Sequence, residues 1–211
     1  MSHAIETCRL TRNFGDTTAV DALDLAVGAG TFFGFLGPNG AGKSTTIKML
    51  TGLLKITSGS ASVLGFDVTT QAVEVKRRIG VVSEELALFD RLTGREYLSF
   101  VGRMYGMDRA TIRTRGEELL EVMDLDDRKK LIVDYSHGMQ KKLAISAAIL
   151  HGPELLFLDE PFEGIDAVSS RLIKNILGSL LERQVTIFLT SHILEIVEKL
   201  CDQVAIIHHG R

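Results

Sequence analysis

The stretch Gly37-Pro38-Asn39-Gly40-Ala41-Gly42-Lys43-Ser44-Thr45 fits the spacing G-x-x-x-x-G-K-[ST], and its reading decides the fold. The apolar run Phe32-Phe33-Gly34-Phe35-Leu36 before it reads as a buried strand, and Ser44 to Leu54 after it reads as a helix. A strand that enters a glycine loop and leaves through a helix can cradle phosphate. The glycines let backbone N–H groups wrap around phosphate oxygens without steric obstruction. Lys43 places a point charge near the β and γ phosphates, and the Ser44 hydroxyl is suited to ligate Mg²⁺. The stretch predicts a nucleoside triphosphate site.

Working outward, short strands dominate the beginning of the chain. Ala22 to Val27 alternates, with Leu23, Leu25 and Val27 on one face, which predicts an antiparallel strand buried on one side. Further strands are expected at Ser60 to Leu64 and at Ile79 to Val82. From Glu84 to Asp134 the pattern turns helical, with apolar residues at three- and four-residue spacing in Gly94 to Met104 and Ala110 to Met123. Apolar runs resume at Leu155 to Leu158, Val185 to Leu189 and Val204 to Ile207, separated by helical stretches at Val168 to Glu182 and Ile193 to Cys201. Fully apolar strands alternating with helices imply a parallel sheet covered on both faces. The expected architecture is an α/β P-loop core of residues 1–83 and 135–211, with a mainly parallel sheet and an N-terminal antiparallel β subdomain. An α-helical subdomain, 84–134, is inserted into it. The last residues, Ile206 to Arg211, read as a strand and a turn, so a further element is expected beyond Arg211.

Composition narrows the class. At 211 residues and 45% hydrophobic, the chain suits one large domain, or one domain with an inserted subdomain, with a sizeable core. A net charge of −3 with scattered Lys and Arg gives no general attraction to nucleic acid, and no nucleic-acid partner is expected. The two cysteines, Cys8 and Cys201, are far apart and lack metal-like spacing, which suits a reducing compartment. No apolar run approaches the ~18 residues of a membrane span, and Met1 to Glu6 lacks signal-peptide character.

Leu155-Leu156-Phe157-Leu158-Asp159-Glu160 is an apolar strand that ends in two acids. After a phosphate loop, an Asp at a strand end supports the Mg²⁺ held by the loop hydroxyl, the role expected of Asp159. Glu160 projects differently and can reach a water in line with the γ-phosphate, as general base or orienting group. Pro161 stops the strand.

Gly37 to Thr45, Tyr135-Ser136-His137-Gly138-Met139, Leu155 to Pro161, Gly164-Ile165-Asp166 and Ser191-His192 stand in the order found in ATP-binding subunits of ABC transporters. The chain resembles that family over nearly its whole length. It is similar to the subgroup, typified by drug-export ATPase subunits, in which the ATPase is separate from its membrane partner.

The resemblance implies further roles. Tyr135 to Met139 stands where the family has a signature loop, commonly Leu-Ser-Gly-Gly-Gln. Ser136 and Gly138 are retained there, whereas His137 and Met139 depart from the common form. A Ser hydroxyl, backbone N–H groups and the dipole of the following helix suit a γ-phosphate, which the resemblance assigns to the nucleotide of the other subunit in a head-to-tail dimer. His192 matches the switch histidine that contacts γ-phosphate and holds Glu160 and the water in register. Asp166 matches an interface aspartate, and Phe14 the aromatic that stacks on adenine. Glu84 stands where many relatives carry a Gln that ligates Mg²⁺; a carboxylate there binds the metal more strongly and repels an unshielded γ-phosphate. Leu86, Leu88, Phe89 and Tyr97 fall in the region that receives a short helix of the membrane subunit.

The implied function is ATP binding and hydrolysis in a dimer, a homodimer or a heterodimer. It would drive transport, with export the implied direction, through a membrane-spanning subunit on the cytoplasmic face of the cell membrane. Lys43, Glu160 and His192 would carry the catalysis. The alternative is a soluble ATPase switch with the same core, acting on a non-membrane assembly, but the tandem cores, coiled coils or basic arms usual in such proteins do not occur here. A kinase is disfavoured by the signature loop and His192, and a GTPase lacks its Asn-Lys-x-Asp guanine-reading motif here.

Overall fold

The structure, a computed structural model, describes residues 3–125 and 129–211. Positions 126–128 of the expected helical insertion, and Met1 and Ser2 of the N-terminal stretch, lie outside the described residues. The element order is β1 (His3–Phe14), β2 (Thr17–Gly28), β3 (Phe32–Leu36), α1 (Lys43–Leu50), β4 (Ser58–Val63), β5 (Phe66–Asp67), α2 (Ala72–Arg78) and β6 (Ile79–Val82). It continues with α3 (Gly94–Met104), α4 (Arg109–Val122), α5 (His137–Ile149), β7 (Leu155–Asp159), α6 (Ala167–Glu182), β8 (Thr186–Ser191), α7 (Leu194–Leu200) and β9 (Gln203–Ile206). These elements fall into two compact units. One holds Met1–Glu84, Glu154–Pro161 and Ser179–Arg211; the other holds Glu85–Pro153 and Phe162–Gly178.

The first unit is built on two sheets. In the five-stranded sheet the order is β6-β7-β8-β3-β9, and each neighbouring pair is parallel. β3, β7 and β8 are buried almost throughout, as expected of strands covered on both faces. Phe33, Phe188 and Phe157 lie side by side across β3, β8 and β7, with neighbouring ring centroids 5.5 Å apart. The row of rings locks the register of these strands, because a one-residue slip would turn each ring to the other face. The second sheet, order β2-β1-β4-β5, is antiparallel. In β2, Leu25 and Val27 are buried while Asp24 and Ala26 are exposed, so the expected alternation is present.

Two local differences from the sequence reading have physical causes. The helix expected from Ser44 to Leu54 stops at Leu50, because the N–H groups of Leu53 and Leu54 both turn back to the Lys48 carbonyl at 2.8 Å. The sequence does not announce α2, which is seven residues long and buries only Val75, too little for a visible apolar stripe.

The second unit is helical. α3 begins with a capping box: the Thr93 hydroxyl accepts from the Glu96 N–H, and the Glu96 carboxylate accepts from the Thr93 N–H at 2.9 Å. The Thr93 N–H and the Thr93 hydroxyl, which also donates to the carboxylate at 2.9 Å, hold the Glu96 carboxyl below its usual range. Asp108 caps α4 by accepting from the N–H groups of Ala110 and Thr111. α3, α4 and α5 pack on one another, and α5 buries Leu143, Ile145, Ala147 and Ala148. The unit therefore takes in α5 and α6 as far as Gly178 besides 85–134, and Glu84 falls in the first unit. Helical periodicity marks an apolar face but does not say which neighbour covers it.

Candidate functional site

In a parallel sheet all strands deliver their carboxyl ends to one edge, where such sheets bind ligands. Here that edge collects the loop after β3, Asp159 and Glu160 at the end of β7, Thr190 to His192 at the end of β8, and Glu84 beyond β6.

The phosphate loop is pinned on both sides. The Gly37 N–H donates to the Ser191 carbonyl at 3.1 Å, and the Gly210 N–H donates to the Ala41 carbonyl at 3.0 Å. Gly42 caps α1 with φ of 108°, and a Cβ there would lie 2.6 Å from the Ala19 carbonyl oxygen. Only glycine meets both demands, and this turn opens α1, whose first N–H groups have no partner within the helix. Asn39, Gly40, Gly42, Lys43, Ser44 and Thr45 line a cavity of about 270 Å³ together with Ala19 and Glu84. Gly37, Pro38 and Ala41 complete the loop behind this lining, and Lys43 Nζ donates to the carbonyls of Gly37 at 2.7 Å and Pro38 at 3.2 Å.

Lys43 also meets the acidic strand end. Its Nζ lies 3.3 Å from Glu160 Oε1, and the two side chains are 6% and 5% exposed. His192 Nδ1 lies 3.1 Å from the same oxygen, with a third of its side chain open to solvent. The sequence-predicted catalytic residues Lys43, Glu160 and His192 thus converge on one oxygen atom.

Two features of this edge were not visible in the sequence pattern. Glu160 has φ of 47°, in the left-handed region that a residue with a side chain rarely adopts. Thr190, paired in register with Asp159, donates from its hydroxyl to Asp159 Oδ1 at 2.6 Å and accepts from the Glu160 N–H at 3.1 Å. The sequence signal for Thr190 is a hydroxyl directly after the apolar residues Ile187 to Leu189.

The donor set fits Mg²⁺. Ser44, Glu84 and Asp159 offer oxygen atoms only, the ligands this ion takes, and it usually binds one or two carboxylates plus substrate phosphates. Among the described residues no group of three His, Cys, Asp or Glu side chains forms a cage of its own. A metal here would be shared with phosphate.

Other predicted residues lie elsewhere. Phe14 ends β1, is 48% exposed, and carries the Arg12 guanidinium 4.5 Å from its ring centroid; it is not in the cavity lining. Ser136 and Gly138 belong to the helical unit. Ser136 caps α5 by accepting from the Met139 N–H at 3.3 Å. A Cβ on Gly138 would lie 3.2 Å from both Asp166 Oδ2 and Ser169 Oγ. Asp166 accepts from the Ser169 N–H at 2.9 Å and from the Ser169 hydroxyl at 2.7 Å, bonds that hold its carboxyl below the usual range. Among the described residues, no helix is long and apolar enough to cross a membrane.

Comparison with known proteins agrees with this geometry. The model of the family described as ABC transporter matches residues 20–163. The chain is 44% identical over its whole length to the daunorubicin/doxorubicin resistance ATP-binding protein DrrA of Streptomyces peucetius, covering 64% of that protein. It is 42% identical over its whole length to the bacitracin transport ATP-binding protein BcrA of Bacillus licheniformis, covering 69% of it. The chain therefore spans about two thirds of the length of these relatives. A solved structure of an ATP-binding subunit of an ABC transporter superposes with a TM-score of 0.91 at 30% identity, covering 99% of this chain and 87% of that one. Nothing in these comparisons favours the switch acting on a non-membrane assembly. With an α/β P-loop fold and a phosphate loop facing an acidic strand end, the chain belongs to the ABC transporter family, as an ATP-binding domain.

Proposed function

We propose that this domain binds ATP with Mg²⁺ and hydrolyses it to drive export through a separate membrane-spanning subunit, on whose cytoplasmic side it sits. The observation that carries the catalytic reading is the meeting of Lys43 and His192 on Glu160 beside the phosphate loop. The transport reading is supported by family membership and by relatives named for drug resistance and bacitracin transport.

In this reading the loop N–H groups and Lys43 hold the β and γ phosphates, and Phe14 stacks on adenine. Ser44, Asp159 and Glu84 would hold Mg²⁺, which when bound neutralises charge developing on the phosphates. Glu160 accepts the proton of the attacking water, and His192 keeps the Glu160 carboxylate in register. Burial strengthens these contacts, because little water competes for the charges. Glu84 in place of the usual Gln tightens the dependence on metal, since its negative charge beside the γ-phosphate needs a cation between them. In Glu84→Gln the Mg²⁺ concentration for half-maximal hydrolysis should rise about threefold, roughly the effect of one weakened charge contact. An unchanged Mg²⁺ dependence would remove Glu84 from the metal site.

The remaining piece is dimerisation. Ser136, Gly138 and the N-terminus of α5 form a second phosphate-binding surface, and we assign it to the nucleotide of a second ATPase subunit. Gly138→Asp puts a carboxylate where an added Cβ alone would lie 3.2 Å from Asp166 Oδ2 and where a γ-phosphate would approach. It should leave nucleotide binding by the single subunit intact and lower turnover about 100-fold, with loss of cooperativity in ATP. Normal cooperative turnover in that variant would sink the dimer. Co-purification with a membrane-spanning subunit tests the transport assignment.

A further inference from the structure

We propose that Thr190 is a positioning residue that couples the metal carboxylate to the catalytic base. This rests on the reading of Asp159 as the metal carboxylate and Glu160 as the base. Thr190 is fully buried at the end of β8 and sits opposite Asp159 in the parallel register. Its hydroxyl has one proton, committed to Asp159 Oδ1 at 2.6 Å, and its lone pair receives the Glu160 N–H at 3.1 Å. Both bonds run in the same sense, from the Glu160 amide through the hydroxyl to the Asp159 carboxylate, so each polarises the other.

The two consequences are separate. The bond to Asp159 orients a buried carboxylate, the way an outer partner aims a metal ligand. The bond from the Glu160 amide holds a residue whose φ of 47° lies outside the strand region. That backbone turn brings the Glu160 side chain round to Lys43 and His192. One hydroxyl therefore sets both the carboxylate that would face the metal and the carboxylate that would face the water.

The test uses Thr190→Val, which keeps shape and strand preference but removes both bonds, and Thr190→Ser, which keeps the hydroxyl. Mn²⁺ affinity is read by EPR of free Mn²⁺ in the presence of the protein and a non-hydrolysable ATP analogue, and turnover by phosphate release. Thr190→Val is expected to weaken Mn²⁺ binding about tenfold and to lower kcat about tenfold, with metal-free nucleotide affinity within about twofold of wild type. Thr190→Ser should restore both quantities to within about threefold. Wild-type values in Thr190→Val, equal defects in Val and Ser, or a fall in turnover with unchanged Mn²⁺ affinity would each overturn the coupling. If the Val variant does not fold, Thr190→Cys takes its place with the same expected losses, because a thiol is a poor donor and acceptor. Asp159→Asn separates the two readings. If it leaves Mn²⁺ affinity unchanged, the metal role of Asp159 fails. If it weakens Mn²⁺ while Thr190→Val does not, only the role of Thr190 fails.

Discussion

Glu160→Gln should reduce ATP turnover about 1000-fold while the protein still binds ATP. The amide keeps the volume and an acceptor oxygen, so the side chain should keep its place, while Lys43 loses its buried counter-charge and the protein without nucleotide loses stability. What it loses is the capacity to take a proton. It also removes a negative charge 3.3 Å from Lys43 Nζ. Lys43 then has less competition for phosphate, so nucleotide affinity should rise. Phosphate release and fluorescent nucleotide titration measure the two effects on the same preparation. Turnover above a tenth of wild type would exclude Glu160 as the base.

Lys43→Met should act twice. Losing a charge-assisted contact to phosphate should weaken ATP binding about 100-fold. It should also destabilise the protein without nucleotide, because Glu160 is left as a buried carboxylate with its main cation gone. Removing one partner of a buried pair costs about 3 kcal/mol. The double variant Lys43→Met with Glu160→Gln removes both charges and should recover most of that loss, to within about 1 kcal/mol of wild type. Urea unfolding of the single and double variants completes the cycle. Equal stability of the two would show that a Glu160 carboxylate without Lys43 costs the fold nothing.

The sequence was most informative where local rules dominate. β6 at Ile79–Val82 and α3 at Gly94–Met104 occupy the stretches expected of them, because a short run rich in β-branched residues and a spaced apolar stripe suit different backbones. The glycine loop was legible for the same reason, since the demand for close backbone approach shows in residue type. The short helix α2 was not, for want of a buried face. Nor did the pattern say that α5 joins the helical unit, since its apolar residues suit any partner.

Within the site the same division holds. Residue types and order alone mark Lys43 and Ser44 as candidate phosphate and metal donors, and Asp159 and Glu160 as an acidic strand end; local chemistry is enough for that. The parallel order β6-β7-β8-β3-β9 decides that Glu84, the phosphate loop, Glu160 and His192 share one edge. It also decides that Thr190 meets Asp159 from 31 residues away. Strand order and register come from packing across the sheet, such as the row of Phe33, Phe188 and Phe157, and no short window of sequence contains it.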